Sequence, residues 1–134
     1  MIIKHNDKKN AESIIEASMR QMKYTLTLEI KEESAFNIIR NIYECFRMLG
    51  DALLLHQGRF SEDHIEQIKA LEGLEIKLKR PIKIVDSLRR MRHNINYYGY
   101  NPEKIEAEDA VDFAQSCFYP LFEEVNKIIK KRPA

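Results

Sequence analysis

Residues 34–57 carry apolar side chains at a regular spacing of three and four positions. This spacing places the apolar side chains on one side of an α-helix. Ser34 is a suitable N-cap, and Gly58 is a suitable stop signal. The stripe is broad, which is typical of a helix at the centre of a bundle. Its main members are Ala35, Ile39, Ile42, Phe46, Leu49 and Leu53.

Helical spacing recurs in other parts of the chain, so four or five helices are predicted in total. The 134 residues include only 4 Gly and 4 Pro, which leaves few positions that would break a helix. A chain of this length normally forms one core. We therefore predict an all-α fold, an up-and-down bundle of four or five helices, with residues 1–134 forming one domain. The further helices are expected near residues 10–26, 61–73, 81–99 and 103–131.

Two short segments interrupt the helical spacing. Residues 24–30 alternate strictly between apolar and polar, and residues 74–78 repeat this alternation over a shorter length. Alternation is the pattern of a half-buried strand, so the two segments could pair. Because an isolated pair of strands is only marginally stable, helical or loop structure is the favoured alternative.

The charges nearly cancel over the whole chain, with 22 basic and 21 acidic residues. Net charge therefore gives no argument for a nucleic-acid or membrane partner. Residues 76–92 are different, because they contain seven basic side chains against the single acid Asp86. This segment either faces a polyanion such as RNA or forms salt bridges to the acidic last helix, and we favour the second alternative. The basic residues are Lys77, Lys79, Arg80, Lys83, Arg89, Arg90 and Arg92.

The sequence contains neither a signal peptide nor about 18 consecutive apolar residues, so a cytoplasmic protein without a membrane partner is expected. Cys45 and Cys117 lie in apolar helical surroundings and are interpreted as reduced core thiols. His5, His56 and His64 have no partner at metal-ligand spacing. We predict neither a metal nor a cofactor.

The helix predicted after Pro81 has Gly99 as its natural stop. Residues 82–100 separate into two faces when they are placed about 100° apart. One face is an apolar stripe that is expected to lie in the core, made of Ile84, Leu88, Met91, Ile95 and Tyr98. The opposite arc contains only groups that form hydrogen bonds, namely Arg89, Arg92, His93, Asn96, Tyr97 and Tyr100.

The polar arc is the candidate site. One guanidinium group can donate to two phosphate oxygens at once, so two arginines on one face are suited to a phosphodiester. Arg89, Asn96 and Tyr100 are assigned to substrate binding. The alternative for Asn96 is a bridge between surface side chains, and the alternative for His93 is a hydrogen-bonded surface or interface position.

The stretch from Leu88 to Gly99 resembles the motif of the HEPN superfamily of helical-bundle proteins. In that family an Arg is followed by Asn, Asp or His, and a further His comes after the Arg with four to six residues between them. Arg92 and His93 match the first two elements, whereas Tyr97, Tyr98 and Gly99 occupy the positions of the third. This departure is similar to a family variant that ends in Tyr-x-Gly.

The resemblance implies an activity and a partner. Active HEPN proteins are metal-independent endoribonucleases, often toxins encoded beside a nucleotidyltransferase-type antitoxin. Cleavage by a ribose 2′-hydroxyl needs a group that takes a proton and a cation that stabilises the phosphorane. On this basis Arg92 is the predicted cation, and His93 and Tyr97 are the candidates for the base. The resemblance also implies a homodimer in which the Arg92 faces of two protomers meet.

Three hypotheses follow from these observations. The first is an RNA-directed HEPN-like domain, which is either a divergent endoribonuclease or an RNA-binding protein. The second is a non-catalytic, dimeric HEPN-like interaction module that binds a nucleotidyltransferase or another cytoplasmic protein. The third is a helical regulatory protein unrelated to HEPN.

Overall fold

Five helices follow one another along the residues that the computed structural model describes, which are 2–3 and 8–131. His5 and the ends of the predicted domain therefore lie outside the described residues. The all-α prediction is confirmed, and the bundle has four long helices and one short one. The helices are α1 (Lys8–Thr25), α2 (Ala35–His56), α3 (His64–Glu72), α4 (Ile84–Tyr98) and α5 (Lys104–Lys130).

Helix α2 is the centre of the bundle, as its apolar stripe predicts. It packs against each of the other four helices. The Phe46 ring lies 5.0 Å from the ring of Phe113 and 5.4 Å from that of Phe118, which joins α2 to α5. Cys45 and Cys117 are fully buried and unpaired, and burial raises the pKa of Cys45 to about 12.

The helices end close to the predicted positions, but Ser34 does not have the capping role that the sequence predicts. Helix α2 begins directly after Ser34, but the Ser34 side chain does not cap it. The Ser34 hydroxyl instead donates to the carbonyl of Glu29 and accepts from the amide of Lys31. Helix α3 has a true side-chain cap, because the Asp63 carboxylate accepts from the amide of Ile65.

The predicted alternative of a strand pair between residues 24–30 and 74–78 is wrong. The first segment finishes α1 and continues as a turn, and the second is a loop. Their apolar side chains alternate because each loop covers the bundle with every second residue. The described residues instead contain one two-stranded pairing, between β1 (Ile2–Ile3) and β2 (Arg59–Phe60), which is antiparallel.

Helix α3 approaches α2 closely at Gly50. A Cβ atom at that position would lie 2.5 Å from the carbonyl oxygen of Gln67 and 2.7 Å from its Cβ. Real Cβ atoms do not approach so closely, so this crossing requires glycine. The contact fixes α3, and therefore His64 at its first turn, relative to α2.

Helix α4 packs on α2 and α3 over most of its length, and its last turn, at Tyr97 and Tyr98, projects from the bundle. Val85 and Leu88 are buried, whereas Tyr98 is 76% exposed. The prediction that Tyr98 lies in the core is therefore wrong, because the helix extends past the helices that cover its apolar stripe. Gly99 ends α4 with φ of 66°, as predicted.

Candidate functional site

The arginines of the candidate site differ in whether a carboxylate already forms an ion pair with them. Arg89 Nε lies 2.8 Å from Asp86 Oδ1, and Arg90 also pairs with Asp86. Arg92 is partly buried, and its guanidinium carbon lies 5.9 Å from the centre of the Tyr43 ring. Among the described residues no carboxylate forms an ion pair with Arg92. Arg92 is therefore the arginine of α4 whose charge is available to an anion.

The end of α4 carries an exposed aromatic cluster. The ring of His93 lies 4.7 Å from the ring of Tyr97 and 5.7 Å from that of Tyr98. Tyr97 is 68% exposed, so its ring faces solvent over most of its surface. His93 and Tyr97, the two candidates for the base, are therefore in contact with each other on one surface.

Asn96 and Tyr100 are engaged elsewhere. The amide oxygen of Asn96 accepts from Arg40 Nη1 at 3.1 Å, a bond that links α4 to α2. The Tyr100 hydroxyl donates to Glu106 Oε1 at 2.6 Å, and this bond raises the pKa of Tyr100. Tyr100 belongs to the connection between α4 and α5, so the six predicted site residues do not form a single cluster.

The salt-bridge alternative for the basic segment holds for three of its seven basic residues. Arg80 lies 3.1 Å from a carboxylate oxygen of Asp109 and 3.0 Å from one of Asp112, so this arginine does pair with the acidic last helix. Arg89 and Arg90 are paired within α4. The basic side chains without an ion pair among the described residues are Lys77, Lys79, Lys83 and Arg92.

A second polar cluster adjoins Arg92 in the interior of the bundle. The Tyr43 hydroxyl of α2 lies 2.8 Å from His64 Nδ1 of α3, and the centres of the two rings are 5.9 Å apart. Tyr43 is fully buried, whereas His64 is partly exposed. Arg92 and His64 therefore both contact the Tyr43 ring, although they come from different helices.

Charged groups of α2 complete this cluster. Arg47 pairs with both Glu44 and Asp51 along one side of the helix. Gln67 Nε2 donates to Asp51 Oδ1 at 2.7 Å and to the carbonyl of Ser61 at 2.9 Å, which ties α3 to the same group. Arg47 is thus neutralised by its own helix, in contrast to Arg92.

Burial and charge shift the titration of the central pair. Burial, followed by the positive charges of Arg47 and Arg92, lowers the pKa of His64. Burial also raises the pKa of Tyr43 to about 12. Both side chains are therefore neutral near pH 7, and the hydrogen bond between them joins two uncharged groups.

An open groove of about 540 Å³ runs between α3 and α4. Ile65 and Arg89 both line it. Ile65 directly follows His64 in the sequence, and Arg89 lies one helical turn before Arg92. Its charged lining is mixed, because Glu72 and Asp86 stand in the same walls as Lys69 and Lys83. Since Asp86 also pairs with Arg89 and Arg90, the groove is not a uniformly basic surface.

Spacing along the sequence does not reveal the pairing of His64 with Tyr43, because 21 positions separate them. The available signal is the hydroxyl of Tyr43 on a stripe that is otherwise apolar, since a buried hydroxyl needs a hydrogen-bond partner. Histidine at the first turn of α3 supplies that partner.

Two kinds of feature are absent from the described residues. No helix there is both long enough and apolar enough to cross a membrane. No group of three or more His, Cys, Asp or Glu side chains converges there in a way that could hold a metal ion.

The chain was also compared with known proteins. No family model, curated protein or solved structure matches it.

Proposed function

We propose that this protein is a HEPN-like, RNA-directed protein that binds single-stranded RNA on the projecting end of α4 and cleaves it without a metal ion. The observation that carries the proposal is the combination on α4 of an arginine without an acidic partner, Arg92, and the exposed rings of His93 and Tyr97. The HEPN-like sequence around Arg92 supports the same function.

Single-stranded RNA suits this surface better than a duplex does. Unpaired bases stack on exposed aromatic rings, whereas the bases of a duplex are already stacked on each other. The guanidinium of Arg92 supplies the positive charge that a phosphate requires. Arg89 shares its charge with Asp86 and therefore contributes less.

The proposed cleavage uses the ribose as its own nucleophile. The 2′ oxygen forms a bond to phosphorus while the bond from phosphorus to the 5′ oxygen breaks. His93 takes the 2′-hydroxyl proton, and the leaving 5′ oxygen takes a proton from water. Arg92 stabilises the negative charge of the phosphorane, and Tyr97 positions the imidazole by contact with the His93 ring.

A homodimer belongs to the same proposal. Tyr98 is 76% exposed at the end of α4, and its ring lies 5.7 Å from the His93 ring of the proposed site, so a second copy of α4 that meets the first at this site would cover it. We expect sedimentation at tens of micromolar protein to give the mass of a dimer, and Tyr98→Glu to give the mass of a monomer. A wild-type monomer at that concentration would contradict a cleft shared by two protomers.

Replacing Tyr97 with Ala should weaken binding of single-stranded RNA by about tenfold, because stacking of one base on an aromatic ring contributes about 1–3 kcal/mol. The measurement is a gel-shift titration with labelled oligouridine at low salt. Tyr24→Ala is the matched control, because Tyr24 is 63% exposed on α1. Equal loss of affinity in both variants would contradict a binding surface on α4.

The second candidate is a non-catalytic interaction module that binds a nucleotidyltransferase or another protein. Exposed tyrosines are also typical of protein interfaces, and Tyr97 and Tyr98 form such a patch. Tyrosine also stands where active HEPN proteins have the histidine that is the third element of their motif. This candidate gains support if wild-type protein neither cleaves nor shifts RNA and a nucleotidyltransferase gene lies beside its own.

A further inference from the structure

His64 has one ring nitrogen committed to the fold and one that is available. Nδ1 is held by the Tyr43 hydroxyl at 2.8 Å. Nε2 has no hydrogen-bond partner among the described residues, and the atom itself is not buried. It is therefore open to solvent. A buried tyrosine thus fixes the direction of an imidazole whose outer nitrogen is free to bind a ligand.

Arg92 reaches the same place from another helix. Its guanidinium lies over the Tyr43 ring, and no carboxylate of the described residues forms an ion pair with it. By contrast, Arg47 on the inner side is neutralised by Glu44 and Asp51. An uncompensated positive charge and an available imidazole nitrogen therefore belong to two side chains that both adjoin Tyr43.

We propose that His64 Nε2 and the Arg92 guanidinium together bind one phosphate group of single-stranded RNA, the phosphate at which cleavage is proposed. This assignment rests on the proposed function, and it adds a phosphate subsite built from α3 and α4 to the surface of α4 alone. His64 is a binding residue in this proposal and neither takes nor gives a proton in the cleavage step.

Phosphate is the ligand that fits these groups. Arg92 offers N–H donors in a planar fork, and neutral His64 donates through Nε2 when Nδ1 accepts from Tyr43. A bound phosphate also supplies the negative charge that this edge of the cluster lacks. The groups that determine how His64 titrates are Tyr43, Glu44, Arg47 and Asp51 of α2 and Arg92 of α4.

The test follows the carbon-bound imidazole protons of His64 by NMR, with the signal assigned from a His64→Gln variant. Wild-type protein is titrated with inorganic phosphate and, separately, with 2′-deoxy-oligouridine, which lacks the hydroxyl needed for cleavage. We expect saturable shifts of the His64 signal in both titrations. Phosphate should also raise the pKa of His64, because a nearby negative charge favours the protonated ring.

Arg92→Gln should weaken the phosphate response of His64 by about tenfold or more, because it removes a charge-assisted hydrogen bond. Arg20→Gln is the matched control, since Arg20 is an exposed arginine of α1 and should leave the response unchanged. Tyr43→Phe retains the buried ring but frees the imidazole, so we expect a weaker response with the fold intact.

Each outcome separates the subsite from the proposed function. If neither probe moves the His64 signal, the phosphate subsite is overturned, even where RNA is shifted on a gel. If oligouridine moves the His93 signal alone, RNA binding on α4 stands and the subsite is wrong. If inorganic phosphate moves the His64 signal but wild-type protein binds no RNA, the subsite stands for a free phosphate or phosphomonoester, and the RNA proposal fails.

Discussion

Replacing Arg92 with Gln should lower the rate of RNA cleavage by about 100-fold or more, because a preorganised donor to the phosphorane contributes on that scale. Glutamine keeps the polarity and much of the length of the side chain but removes its charge. The partly buried guanidinium makes no ion pair among the described residues, so the fold loses little. The measurement is single-turnover cleavage of labelled RNA in EDTA, with thermal unfolding of both proteins as a check of folding.

The control for Arg92 is again Arg20→Gln, which makes the same change of charge on α1. It should retain the wild-type rate within a factor of about two, as expected for an exposed substitution away from the site. Arg92→Gln should also flatten the salt dependence of RNA binding, since each phosphate contact adds about 0.7 to the slope for a single strand. Equal rates for Arg92→Gln and wild type would remove Arg92 from the chemistry.

Replacing Gly50 with Ala should destabilise the protein by about 1–3 kcal/mol, the usual cost of placing extra atoms in a well-packed core. In an exposed helix the same change is favourable by about 1 kcal/mol, so its sign here depends on the helix crossing. The added Cβ would lie 2.5 Å from the backbone carbonyl of Gln67, and a backbone atom cannot move aside as a flexible side chain would. Urea unfolding monitored by circular dichroism measures the change.

Gly73→Ala provides the comparison for Gly50. The nearest atoms to a Cβ at Gly73 are 3.6 Å away, and its φ of −75° suits any residue. We expect the stability of this variant to stay within about 0.5 kcal/mol of wild type. If Gly50→Ala were as stable as Gly73→Ala, then α3 would not be held against α2 as described. His64 would then be less firmly placed beside Tyr43.

Local spacing in the sequence predicts α2, α3 and α4 with ends within a few residues of those observed. In each case an apolar stripe of regular period ends at a glycine. The buried face of α2 and the buried Cys45 and Cys117 follow from the same pattern. These features can be predicted from the sequence because helical periodicity depends only on residues three and four positions apart.

Features that depend on the neighbouring helix are not readable in this way. Tyr98 continues the apolar stripe of α4 but lies beyond the helices that cover the rest of the stripe. The requirement for glycine at position 50 exists only because Gln67 crosses there. The bond between Tyr43 and His64 depends on the packing of α3 against α2, and periodicity along one helix contains no information about it.

Ultraviolet cross-linking of labelled oligouridine to the wild-type protein, with the attached residues mapped by mass spectrometry, tests the binding surface most directly. We expect cross-links concentrated on the exposed end of α4, at His93 and Tyr97, with competition by unlabelled RNA. Saturable binding with cross-links confined to α1 or α5 would contradict the proposed surface. The absence of RNA binding at low salt would contradict the RNA-directed function itself.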